Sequence, residues 1–168
     1  MNRMNRPFFE EATQQLLKQP DMRDIPAHYS RSPASGFWIL EFGDRFIGAI
    51  AIDASPGSSR KDKPNKNSKE KEITSPVAIL RHLYVDEPYR AIGMQKDLID
   101  HAVKHTFTSS TAVQSITAPD SPLIRYVRLG LREAGFELQK NTKTVGILGW
   151  KLGERVLERA AWEKSINK

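Results

Sequence analysis

Cysteine is absent from this 168-residue chain. That excludes a disulfide framework, thiolate metal sites and a cysteine nucleophile. No apolar run approaches the roughly 18 residues that span a bilayer. The opening Met1-Asn-Arg-Met-Asn-Arg6 is too short and too polar to be a signal peptide. No internal repeat is present, and no metal-ligand pattern stands out. Acidic charge is in deficit: the net charge is +6 and the pI about 9.6. Half of that excess sits between Arg60 and Glu72, where six Lys/Arg face three Asp/Glu. This stretch has no interleaved aromatics to stack on bases, so nucleic-acid binding is not expected. As it stands, the chain reads as soluble and intracellular, and as membrane-associated if it continues into an anchor.

What is present is one domain's worth of chain, residues 1–168, with 39% apolar and 27% charged residues. Phe8, Phe9, Ala12, Leu16 and Leu17 predict a helix over Pro7 to Gln19, ended by Pro20. Asp21 to Ser35 reads as an irregular connection with at most one turn. Gly36–Phe42 and Arg45–Ile52 read as a hairpin about Gly43-Asp44. Residues 55–76 are low-complexity and basic, and read as a flexible insertion. Val77–Val85 is the next strand, and a helix follows from about Met94 to Phe107 with Met94, Leu98, Ile99, Ala102 and Val103 inward.

Thr111–Thr117 reads as a strand. Ser121-Pro122 reads as the cap and first residue of a helix that runs to Ala134, buries Leu123, Val127 and Leu131, and is stopped by Gly135. Phe136–Leu138 and Thr144–Leu152 read as a last strand pair, and residues 153–168 as a polar tail, helical from Glu154. Arg125, Arg128 and Arg132 form a basic, solvated helix face. The order predicts a mixed α/β sheet covered on both faces.

The segment Leu80-Arg-His-Leu-Tyr-Val-Asp-Glu-Pro-Tyr-Arg-Ala-Ile-Gly-Met-Gln95 carries the chemistry. A strand breaks at Asp-Glu-Pro, and a short Arg-x-x-Gly loop opens directly into a helix. That arrangement aims backbone N–H groups and the positive end of a helix dipole at one place, which favours a phosphate or pyrophosphate.

Arg90-Ala-Ile-Gly93-Met-Gln95, its lead-in Leu83-Tyr-Val85 and Pro88-Tyr89, and the later Gly135-Phe136 resemble the Gcn5-related N-acetyltransferase (GNAT) superfamily. The resemblance covers about Asp21 to Trp150. It implies a mixed, mostly antiparallel sheet with helices on both faces. Asp21-Met-Arg-Asp-Ile25, Gly36-Phe-Trp38 and the histidine of Leu80-Arg-His-Leu-Tyr-Val85 are similar to the membrane-anchored cysteine S-conjugate branch. The apolar hairpin that precedes this region in that branch has no counterpart here.

The resemblance implies acetyl-CoA as co-substrate, an amine as acceptor and no metal. It places the pantetheine arm along Leu83, Tyr84 and Val85. It places the pyrophosphate on N–H groups of Ala91, Ile92, Gly93, Met94, Gln95 and Lys96, beside Arg90. Gln95 departs from the family's Gly or Ala, and its side chain would either crowd a phosphate or donate to it. His82 is the candidate general base, since imidazole titrates near neutrality, at about 6.5. The usual Glu position is Ile79 and the usual Tyr acid position is Leu131. Tyr84 and Tyr126 are the substitute acids, of which Tyr126 is taken as the catalytic candidate; it lies five residues from Leu131 and about 140° round the helix. The alternatives are a non-catalytic acyl-CoA-binding or interaction domain with a degenerate site, and nucleic-acid or anionic-membrane binding through the Arg60–Lys71 loop.

Overall fold

The computed structural model describes residues 18–57, 73–145 and 150–167. The helix expected over Pro7–Gln19 lies outside the described residues except for Lys18 and Gln19, as does 58–72 of the insertion. In order come α1 (Pro20–Arg23), α2 (Ile25–Tyr29), β1 (Gly36–Phe42), β2 (Arg45–Asp53), β3 (Val77–Val85) and α3 (Glu87–Arg90). Then follow α4 (Met94–Ser109), β4 (Ser115–Asp120), α5 (Arg125–Glu133), β5 (Glu137–Val145), β6 (Trp150–Glu158) and α6 (Arg159–Ile166).

The six strands form one sheet in the order β1-β2-β3-β4-β6-β5. Among the described strands only the β3–β4 pair is parallel. Alternation along β1 shows the two faces. Phe37 packs against Tyr29 of α2, with centroids 5.7 Å apart, whereas Trp38 sets its face edge-on to His101 and His105 of α4. α4 buries Leu98, Ile99, Ala102, Val103, Thr106 and Phe107 on the sheet, a helical stripe that joins Ile50, Ile52, Ala78, Leu80 and Val85 in one core. Each large member of that core contributes roughly 1.5–3 kcal/mol of burial. α1 and α2 cover the opposite face of β1–β3.

The connection Asp21–Ser35 thus holds two short helices. Pro20 and Pro26 start them, and the Asp24 side chain caps the second by accepting from Ala27 N–H at 3.1 Å.

The last strand pair is Glu137–Val145 with Trp150–Glu158, not Phe136–Leu138 with Thr144–Leu152: Thr144 and Val145 pair with Lys151 and Trp150, so the expected second strand is divided between two antiparallel ones. Three further boundaries differ from expectation, each around an arginine that bonds groups inside the fold. β4 runs Ser115–Asp120 and not Thr111–Thr117. The Arg159 guanidinium donates to the carbonyls of Phe107, Ser110 and Val113 at 2.9, 2.6 and 2.7 Å, folding 110–114 into the close of α4. α5 starts at Arg125, not at Pro122: Ser121–Ile124 make a turn, and Leu123 stays 46% exposed. The helix is held instead by a two-pronged bond from Arg128 to buried Asp120, at 3.2 and 2.8 Å, so Arg128 is not part of a solvated face.

Finally, the polar tail expected from residue 153 is strand as far as Glu158. Its Val156 and Leu157 are buried, and Arg155 is buried too, donating to Asp120 at 2.7 Å and to the Phe136 carbonyl at 3.1 Å. Only Arg159–Ile166 is helical, docked through Trp162 on Phe107. Gly135 (φ +88) ends α5 as predicted, with Phe136 N–H on Leu131 O and Gly135 N–H on Arg132 O, a Schellman close.

Candidate functional site

The sheet divides along β3. β3 pairs with β4 only at Val77↔Ser115, Ala78↔Ile116 and Ile79↔Thr117. Past that point β3 stays with β2 as far as Val85↔Gly48, and β4 stays with β6 as far as Asp120↔Gly153. A gap therefore opens beside Leu80–Val85. Asp86 N–H donates to Ile47 O at 2.8 Å, toward β2. Alternation then turns the backbone groups of Val85 and Leu83 into the gap. These two of the three strand residues assigned to the pantetheine arm present main chain there. Tyr84 presents a half-exposed ring on the outer face, stacked on Phe46 at 6.0 Å and 6°.

At the end of β3 the Asp86 side chain caps α3, accepting from Glu87 N–H at 3.0 Å. Gly93 then adopts φ +86, ψ 13, the left-handed conformation that allows the chain to re-enter a helix at once. A Cβ there would touch nothing within 4 Å, so the demand for glycine is conformational. Two expected cradle groups hold the turn itself: Gly93 N–H donates to Arg90 O at 3.3 Å, and Lys96 N–H to Gly93 O at 2.8 Å. Met94 and Gln95 occupy the first turn, where a helix supplies no acceptor to its N–H groups. The Lys96 ammonium bonds Asp100, which raises its pKa.

Gln95 neither crowds the turn's open side nor reaches into it. Its side chain is 6% exposed and lies over Gly130 of α5, where a Cβ would stand 2.8 Å from its Cγ. The missing side chain of Gly130 makes room for the Gln95 side chain. Gln95 Oε1 is buried with no partner.

Arg90 is drawn to the strand and away from the turn. Its Nε donates to Val85 O at 2.7 Å, and its guanidinium lies 4.1 Å over the ring of Tyr126. The Tyr126 hydroxyl in turn meets the Val85 backbone. Burial raises the pKa of that phenol, and the Arg90 charge and the Val85 hydrogen bond only partly offset it. The gap-facing carbonyl of Val85 is thus occupied by a side chain of the protein itself.

His82 stands three residues back, about 10 Å along the strand, so it and Tyr126 do not meet. Its orientation comes from a bulge: Ile52 pairs with Leu80 and Ala51 with His82, leaving Arg81 over. Leu80 points into the core under α4 while His82 and Arg81 turn to the α1–α2 face.

There His82 Nε2 lies 2.6 Å from Asp21 Oδ2, which also accepts from the Tyr29 hydroxyl at 2.9 Å. Asp21 is 2% exposed. Burial pushes its carboxyl up, but the bonds from His82 and Tyr29 and the nearby charges of His82 and Arg81 outweigh it and hold the pKa below the ordinary carboxylate range. Burial first, then the bond to Asp21, pushes the Tyr29 phenol far up.

Beside this trio a second buried carboxylate, Asp53, takes Arg81 Nε at 3.0 Å, His28 Nε2 at 2.9 Å and the Ser55 amide at 3.0 Å. Burial pushes its carboxyl up, but the bond it accepts from the Ser55 hydroxyl leads those that outweigh burial and keep its pKa low. Asp21, Tyr29, Asp53 and Arg81 were not legible as site residues. They lie far apart in the chain, and no spacing announces them.

The two positions where the resemblance expects a Glu and a Tyr carry no chemistry: Ile79 lies in the β3–β4 pair and Leu131 is fully buried in the core. Among the described residues no group of three or more His, Cys, Asp or Glu is arranged to hold a metal ion. None of their helices is long and apolar enough to cross a membrane. A groove of about 590 Å³ between α4, the end of α5 and α6 takes no lining residue from β3.

Solved structures share this fold. An acetyltransferase of the GNAT family from Streptococcus pneumoniae superposes with a TM-score of 0.62 at 9% identity, over 82% of this chain and 74% of its own. A ribosomal-protein-alanine N-acetyltransferase from Brucella melitensis gives 0.60 at 13%, over 94% and 96%. A structure of AAC(6')-Ib in complex with ribostamycin and coenzyme A gives 0.55 at 18%, over 87% and 78%. No curated protein matches the sequence. Residues 2–131 match the model of the acetyltransferase (GNAT) family, and with the divided sheet and the left-handed turn at Gly93 in their places, the chain belongs to that family.

Proposed function

We propose that this protein binds acetyl-CoA in the gap beside Leu83–Val85 and transfers its acetyl group to an acceptor amine held on the α1–α2 face. The observation that carries the reading is the parting of β3 from β4 directly upstream of the Gly93 turn. The freed edge of β3 offers main-chain groups to an extended amide-bearing arm, and the start of α4 offers N–H groups and a helix dipole to a pyrophosphate. Arg90 and Tyr126 lie on Val85 and would have to yield to the arm there.

In the reaction the acceptor's ammonium gives one proton to His82, the amine nitrogen attacks the thioester carbon, the carbon–sulfur bond breaks to release the coenzyme thiolate, and the second proton of the nitrogen passes to that thiolate or to water as the amide forms. The gap-facing N–H of Leu83 is placed to receive the developing oxyanion. Tyr126 lies too far from His82 to work beside it, so thiolate release without a dedicated acid fits the geometry better. The buried Leu131 favours a second reading, an acyl-CoA-binding domain without turnover.

Thermal shift and calorimetry with acetyl-CoA test the binding: a ligand at a hundredfold excess over Kd adds about 2.7 kcal/mol of stability. No shift with acetyl-CoA or CoA would sink both readings. Thiol release over a panel of amino acids, polyamines and free-N-terminal peptides separates them, since the domain without turnover stays silent on every amine.

A further inference from the structure

The α1–α2 face holds two buried carboxylates, and they divide the cationic groups of the β3 bulge between them. Arg81 and His82 leave the bulge on the same side of the sheet. Asp53, with no exposed side-chain surface, takes Arg81 Nε, with His28 Nε2 and Ser55 as its other partners, and Arg31 stands 3.8 Å away. Asp21 takes His82 Nε2 and is braced from behind by Tyr29. The charged and titratable groups gathered on this face among the described residues are Asp21 from α1, His28 and Tyr29 from α2, Arg31 after it, Asp53 from β2, and Arg81 beside His82 on β3.

An ionised carboxylate only accepts hydrogen bonds. The 2.6 Å contact therefore requires Nε2 of His82 to carry a hydrogen, and the neutral ring then has its lone pair on Nδ1. Burying a carboxylate to anchor a four-residue helix is costly, because an apolar side chain would hold α1 without the desolvation penalty.

We infer that Asp21 is a positioning residue for the proposed acetyl transfer. Braced by the Tyr29 hydroxyl, it commits Nε2–H of His82 to itself, so that Nδ1 is the atom that takes the proton from the acceptor ammonium. This rests on the reading of His82 as the base. The proton moves from the acceptor nitrogen to Nδ1, and the imidazolium so formed lies against the Asp21 carboxylate, which keeps its charge throughout. Tyr29 holds the carboxylate in line and touches neither substrate.

Nitrogen-15 spectra of histidine-labelled protein read the tautomer without any acceptor. At a pH where the ring is neutral, the expected tautomer of His82 is Nε2–H. In Asp21→Asn, whose amide both accepts and donates, that form gives way to a mixture, and Tyr29→Phe loosens it in a fold that keeps the carboxylate. A single Nε2–H form in both variants overturns the proposal. Turnover with acetyl-CoA and the best amine of the panel is the second readout. Asp21→Asn is expected to lower kcat at least tenfold with the KM for acetyl-CoA unchanged. If His82→Ala loses turnover and Asp21→Asn keeps it, the proposal falls while the base reading stands. If His82→Ala keeps turnover, the base reading falls and takes the proposal with it.

Discussion

The two sides of the divided strand are built from different materials. The side that faces α4 and α5 is made of main chain: the freed edge of β3, the left-handed turn at Gly93 and the first N–H groups of α4. The side that faces α1 and α2 is made of side chains that are distant in sequence. His82 is joined to Asp21 across 61 positions, and Arg81 to Asp53 across 28. A main-chain site tolerates many side chains but few backbone conformations. A side-chain site has the opposite tolerance, and its members titrate.

The sharpest way to break the main-chain side alone is Gly93→Val. Nothing lies within 4 Å of the new Cβ, so the penalty is the left-handed φ itself, on the order of 1–3 kcal/mol for a residue that resists it. The affinity for acetyl-CoA is expected to fall by roughly five- to a hundredfold by calorimetry, with the His82 tautomer unchanged. Equal damage to both readouts would mean that the two sides are one unit.

A second effect is expected where a side chain intrudes on the main-chain side. Gly130→Ala should destabilise the fold by about 1–3 kcal/mol through overpacking, even though alanine favours a helix, because the new Cβ would stand 2.8 Å from Gln95 Cγ and 3.1 Å from Ile99 Cδ1. The same change made on top of Gln95→Ala should cost little or stabilise. Chemical denaturation of the four proteins closes that cycle, and simple additivity would show that Gly130 is not there for Gln95.

The smallest effect separates the sides by acid. Asp21 and Asp53 have pKa values below the ordinary one when folded. Their contribution to stability is therefore complete above the unfolded carboxylate pKa, about 3.9, and is lost as pH falls from there through the lowered folded values. Denaturation midpoints measured downward from pH 5 should fall for the wild type and fall less steeply for Asp21→Asn. Parallel curves for the two proteins would deny Asp21 its share.

Much of the fold was legible because it is local. Gly36–Phe42, Val77–Val85 and the stripe from Leu98 to Phe107 carry their period on their face, and Gly135-Phe136 marks a helix end whose hydrogen bonds are all within reach of one turn. Three of the boundaries that differ from expectation turn on an arginine. Arg128, Arg155 and Arg159 look like solvated charge in a one-dimensional reading. In the folded chain each satisfies a buried acid or a set of helix-end carbonyls.

The same division holds at the site. By itself, the sequence determined the turn at Gly93 and the strand and helix that flank it, because a left-handed residue between a strand and a helix is specified within a few positions. Only the tertiary structure decided which way His82 faces and what meets it. A one-residue bulge at Arg81 reverses the side of the sheet on which His82 would otherwise lie with Leu80, and its carboxylate partner arrives from a helix some sixty residues upstream. Bulges and long-range carboxylate pairs leave no period to read, since they exist only once the strands have paired and the desolvated charges have found one another.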